Sequence, residues 1–258
     1  MSRLRPFAVL ACFTALTLPL MPVQQLFLWF WPRMARVFPM HYHRLVCRIL
    51  GIRVEVSGEP PQAGPLLIVS NHVSWLDIVV LSAVAPVSFV AKKEVNGWPF
   101  FGSLARLQRT VFIDRDRRHA TGPSREDMRA RLKAGDILVL FPEGTSYDGR
   151  SVLPFKSSFF GAAEIEGVLV QPVSLAYRGH RNLPMTRRLM PSYAWYGDME
   201  LAPHLLEALA RGPVEVEVIC HKPLSLSGEV NRKALARHAE DQVRRGVTRA
   251  LHGHREMG

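Results

Sequence analysis

Hydrophobic and polar positions along this chain fall into two regimes. Residues 7–30 are almost continuously apolar, broken only by Thr14, Thr17, Pro19, Pro22, Gln24 and Gln25. That is about the length of a membrane-spanning helix, roughly 20 residues, but two prolines and a glutamine pair lie inside it, so a bent or re-entrant segment fits as well as a straight span. Further on, short β-branched or wholly apolar runs alternate with helix-like stretches. The runs at 53–56, 66–70, 87–91, 110–113, 137–141, 168–175 and 214–220 predict strands, several of them apolar throughout, as strands covered on both faces must be. Helices are expected near 76–84, 124–133, 155–165, 201–209 and 231–251, and the Pro-, Arg- and aromatic-rich 178–199 reads as a loop. The alternation predicts an α/β domain over 51–258, with a central, mostly parallel sheet flanked by helices. An amino-terminal, apolar, membrane-associated helical segment, 1–50, precedes it.

Charge and cysteine content sharpen this picture. The chain has 258 residues and a net charge of +11, which suits a membrane surface, a phosphorylated substrate or nucleic acid, and composition alone does not choose among them. Cys12, Cys47 and Cys220 are widely spaced with no CxxC pair, so neither a disulfide framework nor a zinc site is indicated. A signal peptide is disfavoured because no small-residue cleavage site follows the apolar run, and the box-like VLAC at 9–12 has too short an apolar stretch before it. Arg33, Arg36, Arg44 and Arg48 follow the apolar segment, against Arg3 and Arg5 before it. The positive-inside bias then places the main domain on the cytoplasmic side of the cell inner membrane, with the basic, aromatic WFWPRMARVF at headgroup level.

Candidate chemistry sits where strands end. The strand at 66–70 runs into NHVSWLD, residues 71–77, ahead of the next helix. Ligands in α/β proteins gather at such carboxyl-terminal strand ends. Within a regular helix, residues five apart are separated by about 140° around the axis, so His72 and Asp77 meet only if His72 precedes the helix. Ser74 fits an N-cap with Asp77 three positions on. Asp77 is therefore either the acidic member of a capping box beside a loop histidine, or the carboxylate that orients a general-base imidazole. Two more strand ends carry polar loops: VFIDRDRR leads into Arg115, Arg117 and Arg118, and LFPEGTS into Glu143, Gly144 and Thr145. A histidine, a carboxylate and a guanidinium can thus converge on one basic crevice.

At these residues the chain resembles the glycerolipid acyltransferases typified by 1-acylglycerol-3-phosphate (lysophosphatidic acid) acyltransferase. NHVSWLD is similar to the family's H-x4-D block, VFIDR to its second, FPEGT with LPFK at 153–156 to its third, and VQPVSLAY at 170–177 to its fourth. The resemblance implies an α/β acyltransferase with acyl-CoA or acyl-carrier protein as the thioester donor, a lysolipid as acceptor and membrane lipids as surroundings. It implies that His72 and Asp77 are catalytic, that Arg115 binds an anionic headgroup, and that Glu143, Gly144 and Thr145 shape that pocket. Lys92, after a strand, adds charge there or is simply solvated. Two departures stand out: Arg109 where the second block commonly has glycine, and Ser146 where the third often continues with arginine.

No cofactor and no metal are expected, since His41, His43, His252 and His254 lack acidic or cysteine neighbours at ligand spacing. No G-x-S-x-G elbow, P-loop or G-x-G-x-x-G run is present. The basic carboxy-terminal helix reads as a solvated or membrane-facing surface rather than a nucleic-acid reader. The expectation is transfer of a fatty acyl group to a lysolipid hydroxyl, with 1-acylglycerol-3-phosphate first and lyso-ornithine lipid as the alternative acceptor. A non-catalytic basic protein that binds membranes or nucleic acid is the reading from another class.

Overall fold

The computed structural model describes residues 4–113, 121–162, 167–225 and 231–252. The chain opens with two helices, α1 (Arg5–Phe30) and α2 (Pro32–Leu50). There follow β1 (Ile52–Gly58), β2 (Leu66–Ser70), α3 (Leu76–Val84), β3 (Val87–Lys92), α4 (Phe101–Leu107), β4 (Val111–Ile113), α5 (Thr121–Lys133) and β5 (Ile137–Leu140). The second half contributes β6 (Leu169–His180), β7 (Leu183–Pro184), α6 (Leu201–Arg211), β8 (Val214–Cys220), β9 (Leu224–Ser225) and α7 (Arg232–His252).

The described strands form one sheet in the order β1-β8-β6-β2-β5-β3-β4, with β7 and β9 alongside β6. From β6 to β4 the neighbours are parallel, whereas β8 runs antiparallel to β6. The apolar runs at 66–70 and 137–140 are central strands, buried on both faces. Their residues alternate between two core layers, as a period of two requires. Leu66, Ile68 and Val139 face a layer that includes residues of α2 and α3, while Leu67, Val69 and Leu138 face the layer built with α5 and α7. Because β2, β3, β4 and β5 are mutually parallel, the loops after them leave from one edge of the sheet, the edge expected to carry the chemistry.

Three elements decide or revise the sequence reading, to which α4, not expected from the pattern, is added. The prolines and glutamines of the apolar segment do not break it: α1 is one continuous helix containing Pro19 and Pro22, and Gln24 is buried, donating through Nε2 to the carbonyls of Ala35 (3.0 Å) and Leu107 (2.9 Å). The reversal falls instead at Trp31, before Pro32, where a proline starts a helix at no cost in hydrogen bonds. Second, β6 continues through Arg178 to His180, inside the expected loop, because Arg178 finds Glu55 on β1 and Glu217 on β8 as ionic partners across the sheet. Third, the helix expected at 155–165 is a 3₁₀ segment at Ser157–Ala162, following Pro154 and containing two serines and a glycine, residues that favour turns over helix interiors.

Both ends of α1 are tied to the rest of the molecule. Near its start, Arg5 donates to the carbonyl of Leu50 (3.1 Å), and Gln24 ties the other end. Val9, Phe13 and Leu16 pack on the core, whereas Phe7, Leu18, Leu26, Trp29, Phe30 and Trp31 are exposed. α1 is long and apolar enough to cross a membrane, and little of its most apolar stretch is buried within the protein.

Candidate active site

β2 delivers Asn71 and His72 to the sheet edge. Asn71 is buried and grips β6 in both directions: its Nδ2 donates to the carbonyl of Leu175 (2.9 Å), and its Oδ1 accepts the Leu175 N–H (2.8 Å). The carbonyl of His72 accepts the N–H of Tyr147, and that of Val73 accepts the N–H of Trp195, each at 2.9 Å. The histidine therefore stands on a backbone clamped from three sides, ahead of α3, as its five-residue spacing from Asp77 demands.

The two side chains meet. Nδ1 of His72 lies 2.7 Å from Oδ2 of Asp77. Since a carboxylate only accepts, Nδ1 carries the proton and Nε2 presents its lone pair. No partner for Nε2 occurs among the described hydrogen bonds, and the His72 side chain is 20% exposed whereas that of Asp77 is fully buried. Oδ2 also accepts the N–H groups of Val73 (2.7 Å) and Ser74 (3.0 Å), and Oδ1 accepts the hydroxyl of Tyr177 (2.7 Å). The capping box expected here is half realised: Asp77 takes the backbone donors, but the buried Ser74 hydroxyl has no partner among the described residues and the helix begins after Trp75. One carboxylate thus both shapes the loop and holds the imidazole. The His72 ring stacks on Phe141, centroids 4.0 Å apart and planes 13° apart, and Phe141 in turn stacks on Phe89 at 6.4 Å.

Glu143 stands behind the histidine. Its carboxyl is buried and accepts the His72 N–H at 3.3 Å. Burial pushes it up to about 8, against the lowering effect of N–H donors from His72 and Leu153, with the negative charges of Asp77 and Asp148 adding to the rise. Gly144 holds φ +80°, a left-handed turn that suits glycine, and its N–H donates to the Phe141 carbonyl (3.1 Å), which turns the chain so that Thr145 is exposed. Lys92 ends β3, exposed, and β5 lies between β3 and β2, so its backbone is about 10 Å from that of the histidine strand at two strand spacings. Arg115, Arg117 and Arg118 lie outside the described residues. Arg109, with φ +61°, faces away from this edge and forms a bidentate pair with the buried Asp136, joined there by Arg131 and Arg36.

Sequence reasoning passed over Tyr177, Phe141 and a cavity. Tyr177 is the last residue of the fourth block, and an aromatic hydroxyl at the end of a buried strand needs a polar partner, which was the available signal. The cavity, about 810 Å³ and open on one side, is lined by α1, α2, α3, α4, α6 and β3, with walls that include Phe13, Met21, Tyr42, Val79, Phe89 and Leu104. No single segment announces it. Phe89 is shared between its wall and the ring stack that ends on His72, which sets the cavity beside the dyad.

A family model described as Acyltransferase matches residues 52–176, the span that contains the dyad, the Glu143 turn and most of β6. The lyso-ornithine lipid O-acyltransferase of Brucella abortus (strain 2308) is 47% identical over 97% of this chain and 96% of its own length. The chain belongs to the glycerolipid acyltransferase family. It is an enzyme, an acyltransferase acting on lysolipids. The lyso-ornithine lipid O-acyltransferase of Rhizobium meliloti (strain 1021) is 45% identical over 92% of the chain and 84% of the relative. A 1-acyl-sn-glycerol-3-phosphate acyltransferase of Neisseria meningitidis is 34% identical over 78% and 77%. The fold matches the crystal structure of the 1-acyl-sn-glycerophosphate (LPA) acyltransferase from Thermotoga maritima, with a TM-score of 0.67 over 96% of each chain at 23% identity. Membership sets aside the non-catalytic reading and bears out the acyltransferase fold and acyl transfer to a lysolipid.

Proposed function

We propose that His72 and Asp77 catalyse transfer of a fatty acyl group from a thioester, acyl-CoA or acyl-carrier protein, to the hydroxyl of a lyso-ornithine lipid at the cytoplasmic face of the inner membrane. The observation that carries the mechanism is the anchoring of Nδ1–H on a buried carboxylate, which leaves Nε2 as the accessible base. Nε2 takes the acceptor's hydroxyl proton as that oxygen attacks the thioester carbonyl, since a free alkoxide is inaccessible near neutral pH. The tetrahedral adduct then expels the thiolate, which takes the proton back from the imidazolium. The products are the acylated lipid and a free thiol, and no covalent enzyme intermediate is needed.

The acyl chain finds its solvent in the 810 Å³ cavity beside Phe89. Residues 1–50 serve as the membrane-associated segment, and 51–258 as the catalytic domain. Because both ends of α1 are tied to the core, the geometry favours a helix lying along the headgroup boundary, with Trp29, Phe30 and Trp31 at its tip, over a helix crossing the bilayer.

For the acceptor, the Brucella and Rhizobium relatives, 47% and 45% identical, act on lyso-ornithine lipid by name, and Ser146 removes the arginine that often follows FPEGT. Lysophosphatidic acid is the second reading, favoured by Arg115, whose guanidinium fork suits a phosphate, and by the relatives that carry that activity in their names. The test is direct competition: purified enzyme, both lysolipids at equal concentration, acyl-CoA and acyl-carrier-protein donors in turn, with released thiol and each product measured. Lyso-ornithine lipid should be acylated preferentially, and His72→Ala should release no thiol with either acceptor. A preference for lysophosphatidic acid reverses the assignment of the acceptor only; near wild-type turnover by His72→Ala would sink the mechanism.

A further inference from the structure

We propose that Tyr177 is a positioning residue of the reaction: its hydroxyl, by donating to Oδ1 of Asp77, fixes the plane of that carboxylate and restrains the basicity of His72. The inference rests on the reading of His72 as general base.

Four donors converge on Asp77. Three of them, Nδ1 of His72 and the N–H groups of Val73 and Ser74, come from the loop that Asp77 itself organises and share Oδ2. The fourth comes from a different element, β6, and takes Oδ1 alone. The loop donors hold one oxygen and the Tyr177 hydroxyl holds the other from across the site, so the carboxylate is gripped at both ends of a torsion, χ2, that is intrinsically soft in aspartate. Tyr177 is well placed for the task because it lies two residues after Leu175, on the same face of β6, and Leu175 is held at both its N–H and its C=O by Asn71. His72 is thereby bracketed, with Asn71–Leu175 on one side and Asp77–Tyr177 on the other. Errors in strand position cannot accumulate between the base and its orienting group.

The hydroxyl is also a committed donor. Burial drives the Tyr177 phenol well above its ordinary value, and the adjacent Asp77 charge drives it further in the same direction. Other titratable groups coupled to the pair are Glu143, raised to about 8, and from α2 Cys47, raised to about 12 by burial, so both are largely protonated near neutral pH. Asp77 is then the charge that the hydroxyl tempers. Removing the donor concentrates negative charge beside the imidazole, so the His72–Asp77 pair takes up its next proton more readily. The direction holds however that proton is shared between the two groups.

The experiment is the pH profile of kcat/KM for Tyr177→Phe, between pH 5 and 9, with lyso-ornithine lipid and acyl-CoA. The acid limb should move up by about half to one unit, since a hydrogen bond to a charged group is worth roughly that much in pKa when partly transmitted. The kcat at the optimum should fall about tenfold, with both KM values nearly unchanged. Replacing Tyr177 with 3-fluorotyrosine, a more acidic phenol and a stronger donor, should move the limb down and keeps the idea testable if the phenylalanine variant folds poorly. A fall in kcat with an unmoved limb in both variants would reduce Tyr177 to a packing residue and overturn the proposal. Failure of the general-base reading itself is read separately, from turnover by His72→Ala.

Discussion

Asp77→Asn changes one atom of the carboxylate, and the structure dictates how the amide must sit. Three donors point at the Oδ2 position and only the Tyr177 hydroxyl at Oδ1. The amide oxygen therefore takes the Oδ2 place, and its NH2 faces Tyr177, whose hydroxyl can turn to accept. The protonated Nδ1 of His72 keeps its acceptor, so the tautomer is preserved and the loss is one of charge. An imidazolium and a carboxylate with charge centres about 4 Å apart attract by about 4 kcal/mol at an effective dielectric of 20. A neutral hydrogen bond restores about 1 kcal/mol of that. The net loss of about 3 kcal/mol in the transition state, where the imidazolium exists, corresponds to a fall of about two orders of magnitude in kcat. Release of free thiol from acyl-CoA, followed at saturating lysolipid, measures it. The variant should remain detectably above His72→Ala and should show little change in KM. Activity as low as His72→Ala would mean the tautomer had flipped after all, and activity within threefold of wild type would mean that Asp77 only shapes the loop.

Two further outcomes follow from other parts of the molecule. Glu143, raised to about 8 by burial, keeps its proton in the native state between its unfolded pKa near 4.5 and pH 8, while the unfolded chain loses it, so folding stability contributed there falls as pH rises through that window. Glu143→Gln keeps an acceptor for the His72 N–H and does not titrate; its thermal midpoint should gain on wild type from pH 5 to 8.5, by the equivalent of about 2–4 kcal/mol, and midpoints that track in parallel would contradict the buried, protonated acid. Trp29, Phe30 and Trp31 are 65%, 64% and 56% exposed at the α1–α2 turn. Changing all three to serine should lower partitioning onto lipid vesicles by about three orders of magnitude, at about 1.5 kcal/mol for each side chain buried, while thiol release from soluble substrates persists; unchanged co-sedimentation would show that this tip does not touch lipid.

Much of the fold was legible because local pattern and tertiary role coincide in a parallel sheet. A strand buried on both faces has to be apolar throughout, so 66–70 and 137–140 declared themselves, and polar residues just past their ends could only belong to the carboxyl-terminal edge. The dyad was legible for a similar reason: five residues separate His72 from Asp77, a spacing that works only across a helix start. Where long-range partners rewrote local preference, the sequence misled. Arg178 reads as loop in isolation but lies in a strand because Glu55 and Glu217 neutralise it from neighbouring strands. Gln24 and Gln25 read only as an interruption that left a bent and a straight segment equally open, yet Gln24 is a latch, since its amide meets carbonyls 11 and 83 residues away.

By itself, then, the sequence determined the alternation of strands and helices in the sheet domain, and that a histidine and an aspartate could meet where β2 ends. Only the tertiary structure decided which oxygen of Asp77 serves His72, that the hydroxyl of Tyr177 and not that of Ser74 completes its coordination, that Glu143 lies behind the histidine, and that five helices and one strand line an apolar cavity beside it. The physical reason is range: strand and helix formation follow from the period of neighbouring side chains, whereas a hydrogen bond between residues 100 apart, or a void bounded by six elements, depends on where the whole chain has been folded to.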